Sequence, residues 1–172
     1  MVTAARLAAA LLVAFTVAPM RAQQTQTPPK ATPADPHAQM NMRGAEVMGF
    51  DQDTTTHHFL LYADGGRIDV GANDAADTKN RDAIRSHLPH IAMMFGMGDF
   101  SAPMMVHGID VPGTKLLAAN KDKVHFAYAE TPKGGRVYIV TNDAATLEAV
   151  HAFMRYQITD HKTGDPLTVT RK

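Results

Sequence analysis

An internal repeat limits this chain more than any other feature. Residues 65–76, GGRIDVGANDAA, align without a gap on residues 134–145, GGRVYIVTNDAA, at an offset of 69. The blocks share Gly-Gly-Arg and Asn-Asp-Ala-Ala, and Ile68 and Val70 fall on Val137 and Ile139. In each block a glycine turn leads into alternating apolar residues, and an Asn-Asp pair then offers a helix cap. The first hairpin reads as THHFLLYA (56–63) and RIDVGA (67–72) around Asp-Gly-Gly, and the second as KVHFAYAE (123–130) and RVYIVT (136–141) around TPKGG. Ile84, Leu88, Ile91 and Phe95 then follow at spacings of 4, 3 and 4, one stripe of an amphipathic helix, and a second helix is expected from about Ala144 to His161. Two tandem ββα units, about 56–95 and 123–161, predict an α+β two-layer sandwich: one antiparallel sheet with both helices on one face. Gly-Gly in turns and Asn-Asp at caps also arise independently, so convergence is the alternative to duplication.

The ends carry other signals. Residues 1–22 have Arg6 in a short leading region, an apolar run from Leu7 to Val17 and a small residue, Ala22, before Gln23. This is the form of a signal peptide cut near Ala22, with a run too short to span a bilayer, and it implies a periplasmic or secreted protein. Met20, three residues before the cut, departs from the small-x-small rule. Residues 23–43, rich in Pro, Gln and Thr, read as a disordered tether, leaving 44–172 as a single α+β domain. Within it AEVMGF (45–50), 104–109 and 115–119 read as short strands, and TGDPLTVTR (163–171) as an edge strand.

Composition narrows the chemistry. There is no cysteine, so the core holds without disulfides and any metal is bound without thiolate. Removing 1–22 takes away Arg6 and Arg21 and no acid, leaving 15 basic and 17 acidic residues, a net charge of −2 with neutral histidine. With no basic stripe, nucleic acid is not an expected partner, and no later segment is apolar enough to hold the mature chain in a membrane. A metal ion or a small ligand remains; the sequence names no protein partner.

Met48-Gly49-Phe50, TTHHFLL (55–61), HLPHIAMMF (87–95), GDFSAP (98–103) running to Val106-His107, and DHKTGDPL (160–167) together resemble a family of small secreted bacterial proteins without a settled activity. The resemblance spans residues 45–168 and supports the domain boundaries. Some of those proteins bear an aspartate carbamoyltransferase label, which this chain does not support: the Ser-Thr-Arg-Thr-Arg phosphate-binding motif is absent, and the folded part is less than half a catalytic chain of that enzyme.

Histidine and methionine supply the candidate site. On a straight helix His87, His90 and Met94 lie at i, i+3 and i+7, along one side. Imidazole and thioether together favour copper. Pro89 opposes this geometry, because a proline inside a helix removes a hydrogen bond and crowds the carbonyl four residues back. His57 and His58 alternate across a strand, His57 with Phe59 and Leu61 on the core side and His58 with Leu60 and Tyr62 on the other. If the first helix returns over its own hairpin, His57 meets His87 or His90. His107 follows Pro103-Met104-Met105 in an irregular segment, where loops often carry function. The set His57, His58, His87, His90, Met94, Met104 and His107 therefore describes a copper carrier or buffer. The alternatives are a metal-free module that binds a ligand or protein between the sheet and the middle segment, and a small periplasmic enzyme using histidine acid–base chemistry, for which Asp99 near His107 is one pairing. No nucleophile elbow, P-loop or dinucleotide fingerprint is present. Methionine also fills gaps in ordinary cores, and buried histidine usually only finds a hydrogen-bond partner. In the second helix the position matching His90 is Tyr156, so the halves do not duplicate a histidine site.

Overall fold

A computed structural model describes residues 35–171. The expected signal peptide, 1–22, and residues 23–34 of the expected tether lie outside the described residues.

The two hairpins are copies of one unit. β1 (Thr55–Tyr62) pairs antiparallel with β2 (Gly65–Ala72), and β3 (Val124–Thr131) with β4 (Gly134–Thr141). Every strand boundary of the first hairpin recurs 69 residues later. The first turn is Ala63-Asp64, just ahead of the glycines. Sliding a two-residue turn along the chain leaves the faces unchanged, so Phe59 sits opposite Ile68 and His57 opposite Val70, as the alternation requires. The sheet order is β1-β2-β4-β3, and at its centre Ile68 pairs with Val137. These two are repeat equivalents, so a local twofold axis passes between them.

Five helices complete the domain: α1 (Pro36–Met48), α2 (Thr78–Gly96), α3 (Ser101–His107), α4 (Thr114–Ala119) and α5 (Ala144–His161). The caps of α2 and α5 correspond: the Asp77 carboxylate accepts from Asn80 N–H at 3.1 Å and that of Asp143 from Thr146 N–H at 3.0 Å. Equivalent helix residues are therefore 66 apart, because Asp74, Ala75 and Ala76 are extra in the first half. Pro89 does not interrupt α2. Leu88, Ile91, Ala92 and Phe95 are buried on either side of it, and their packing outweighs the roughly 3 kcal/mol an interior proline costs.

Both long helices lie on the core face of the sheet, but each packs on the other unit. α2 lies across β3 and β4, and α5 across β1 and β2, not each over its own hairpin as expected. The shared glycines make room for this exchange. A methyl group on Gly66 would stand 2.6 Å from Met154 Cε, and one on Gly135 would stand 3.1 Å from Leu88 Cδ1. Met154 and Leu88 are again equivalents. So are two turn caps: Arg85 donates to Thr131 O at 2.7 Å and Gly134 O at 3.3 Å, while His151 Nε2 lies 2.9 Å from Tyr62 O and 3.2 Å from Gly65 O. Four carbonyls in matching places are served by matching helix positions, which supports duplication over convergence.

Other expectations need correction. Residues 45–50 are the end of α1 and its glycine cap, 104–109 fall largely in α3, and 115–119 lie in α4. α1 begins inside the stretch whose composition suggests a tether, with the Asp35 side chain accepting from His37 N–H and Pro36 in the first turn. Its Met40 and Gly44 are buried and it packs on α3, so tertiary contact, not local pattern, holds it. The tail adds no strand, yet it covers the β1 edge: Asp165 accepts from Phe59 N–H at 2.9 Å, and Thr170 N–H donates to Leu61 O at 2.8 Å. Covered edges resist pairing with other chains.

Candidate functional site

A cavity with about 80 Å³ of open space lies between the sheet and α2, α3 and α5, partly open to solvent. Ile68 and Val70 form its floor, Leu88, Ile91, Phe95 and Phe153 its walls, and Ala102 and Val106 of α3 its roof. Into this apolar surface project His57 of β1, His87 of α2, His107 of α3 and His161 of α5.

The four imidazoles differ in their partners. His107 is tied on both sides, Nδ1 lying 2.5 Å from Asp160 Oδ2 and Nε2 3.0 Å from Gln157 Oε1. Its side chain is 1% exposed, so it holds α3 onto α5. His57 is the opposite case, because its Nε2 is buried and has no partner. Its ring stacks near Phe50 at 5.9 Å between centroids, near Phe59 at 6.2 Å and near His161 at 5.6 Å. Phe50 also meets His87 edge-on at 5.9 Å, joining β1 to α2 through the residue after the α1 cap. His161 completes the group, with its ring centroid 5.0 Å from that of His107.

Burial in apolar surroundings disfavours the charged imidazole. It pushes the His57 pKa from 6.5 down to about 4, with help from His58 and His87. His161 falls to about 3, chiefly by burial and then through His57, His107 and His37. The His87 pKa is lowered too, by burial first and by His90 second. At neutral pH these rings are uncharged, each offering one N–H and one lone pair.

The remaining predicted residues stand elsewhere. His58 is on the open face of the sheet, where Nδ1 meets Asp165 at 2.9 Å. His90 is exposed on α2, Met94 is half-buried outside the cavity lining, and Met104 is 42% exposed on α3. The structure thus brings together His57, His87 and His107 and separates His58, His90, Met94 and Met104 from them. Among the described residues no group of three His, Asp or Glu side chains is placed to hold a metal ion. Asp99 accepts from Ser101 N–H at 2.9 Å, and the carboxylate facing His107 is Asp160.

Sequence reasoning did not single out His161, Asp160, Gln157 or Phe50. The signal for His161 was in the repeat. At the helix offset of 66 His161 corresponds to Phe95 and His87 to Phe153, and at the strand offset of 69 His57 corresponds to Phe126. The three phenylalanines form one cluster, with Phe95 edge-on to Phe126 at 5.6 Å and to Phe153 at 6.0 Å. Three of the pocket's histidines thus occupy positions equivalent to three clustered phenylalanines, two of which, Phe95 and Phe153, also line the pocket.

The fold and site define an α+β two-layer protein with an imidazole-lined cavity against its sheet. The chain matches no family model, no curated protein and no solved structure. Among the described residues no helix is long and apolar enough to cross a membrane.

Proposed function

We propose that this is an exported binding protein for a small organic molecule, one with an apolar body and a polar group that hydrogen-bonds to His57. The observation that carries the reading is the buried, unpartnered His57 Nε2 of a residue that lines a mainly apolar cavity. An orphaned polar atom loses about 1–3 kcal/mol of solvation, which a ligand group would return. Convergent polar atoms in an apolar concavity are the usual form of a ligand site. Export rests on the apolar run and Ala22 at the start of the chain. The open space is smaller than the roughly 150 Å³ that accommodates benzene, so the enclosed part of the ligand has only a few non-hydrogen atoms.

The test is a titration of histidine-¹⁵N-labelled protein with isobutyramide, which joins a branched apolar body to one amide. A saturable shift of the His57 ring nitrogens with Kd of about 1 mM is expected for so small a probe. Ala102→Phe, which fills the cavity from α3, is expected to abolish it while leaving the rest of the spectrum in place. A shift that never saturates, or one unaffected by Ala102→Phe, refutes the reading. Copper(I) is the parallel arm: a saturable response to copper that requires His57, His87 and His107 together, with none to isobutyramide, would replace the small molecule with the metal.

A further inference from the structure

We propose that the ligand of this cavity is a small monocarboxylic acid, held with its carboxylate against His57 and His161 and its apolar body against Leu88, Ile91, Phe95 and Phe153. This rests on the small-molecule reading above and narrows it to one chemical class.

The argument is a charge inventory of the site. Five elements bring imidazoles to this end of the domain: His37 on α1, His57 on β1, His87 on α2, His107 on α3 and His161 on α5. Their carboxylate company is small. Asp160 is engaged by His107, Asp165 is across the sheet with His58, and Asp99 is turned to Ser101. Asp35, at the start of α1, accepts from His37 N–H. Lys162 and Arg43 add positive charge at the adjoining rim, Arg43 donating to Val106 O at 2.7 Å. His57 and His161 thus have His37, His87 and His107 around them, with His58 on the other face of the sheet, and among the described residues neither has a carboxylate partner. His37 Nε2 is a second buried nitrogen without a partner.

A neutral ligand leaves that imbalance as it stands. An organic carboxylate removes it, because one negative charge among buried imidazoles favours the protonated ring, and a charge-assisted hydrogen bond is about twice as strong as a neutral one. Binding then takes up one proton: the acid arrives as carboxylate, and the His57–His161 pair gains H⁺ from solvent. The hydrocarbon walls reject a hydrated inorganic anion, which has no apolar body to bury. The twofold image of the site supports the same division of labour. There Phe126, Phe95 and Phe153 pack edge-on as one cluster, and their histidine counterparts stand beside a gap.

Isobutyrate and isobutyramide, nearly equal in shape, are compared by calorimetry at pH 7.0 and 5.5, in buffers of different ionisation heat. Isobutyrate is expected to bind about tenfold tighter at pH 5.5, with uptake of about one proton, and isobutyramide to change less than twofold. In His57→Gln/His161→Gln, isobutyrate is expected to lose both the proton uptake and the pH dependence; the variant's melting curve and amide spectrum report whether it is folded. Equal binding of the two probes by the wild-type protein, without proton uptake, overturns the carboxylate and leaves the cavity reading intact. Binding of neither probe overturns both, and that result needs no variant.

Discussion

Replacing His57 with the phenylalanine that its repeat partner carries should remove a specific acid weakness. In the native protein His57 titrates near 4, and in the unfolded chain near 6.5. Above pH 6.5 both states are neutral and the residue adds no pH dependence. Between pH 6.5 and 4 the unfolded chain takes up a proton that the native ring refuses, so stability falls as the pH falls, and below about pH 4 the full loss has been incurred. At about 1.4 kcal/mol for each tenfold change in proton affinity, the loss is about 3 kcal/mol. Urea unfolding of wild type and His57→Phe at half-unit steps from pH 7.5 to 3.5 isolates this effect, because every carboxylate titrates in both proteins and cancels in the difference. The stability advantage of His57→Phe should grow by about 3 kcal/mol from pH 7 to pH 4. A constant difference across that range would show that His57 is hydrated or paired in the native protein, and the account of the cavity would fall with it.

Two further outcomes follow from the packing. His151→Ala should destabilise by about 2–3 kcal/mol, because it removes the buried hydrogen bonds its ring makes with Tyr62 O and Gly65 O, whereas Arg85→Ala, serving the equivalent but less buried carbonyls of Thr131 and Gly134, should cost about 1 kcal/mol in the same unfolding assay. Asp165→Ala should release the tail from the β1 edge, seen as faster hydrogen exchange at Phe59 N–H with the β3–β4 amides unchanged; equal protection at Phe59 would mean the tail is held by other contacts.

Much of this architecture was legible because the repeat is written in turn and cap chemistry, which acts locally. Gly65-Gly66 and Gly134-Gly135 open strands at corresponding places, and the alternation of Phe59, Leu61, Ile68 and Val70 identifies one buried face wherever the turn falls. The exchange of helices between units was not legible, since it depends on Leu88 reaching Gly135 and Met154 reaching Gly66 across the sheet. No window of local sequence contains those pairs. α1 was missed for a related reason: Met40 and Gly44 are buried only because α3 is there to receive them. Of the candidate site, His57 could be assigned to the core side by strand parity alone. His161 could not be joined to it, because the contact runs from β1 to the end of α5 and requires the exchanged packing.

The exchange also explains why the two halves of a duplicated fold can differ so much in chemistry. Each helix covers the other unit's hairpin, so both halves share one hydrophobic core, and Phe95, Phe100, Phe126 and Phe153 stabilise the whole domain from one side of the axis. Burial of such side chains contributes about 2–3 kcal/mol each. That reserve allows the other side to hold neutral imidazoles and an open cavity, both of which lower stability. Phenylalanine at 57, 87 and 161 would make the halves alike and the protein firmer, and would remove the buried His57 nitrogen that has no partner. An arrangement that weakens its own core at three positions related by symmetry to well-packed aromatics is more economically explained by binding than by packing.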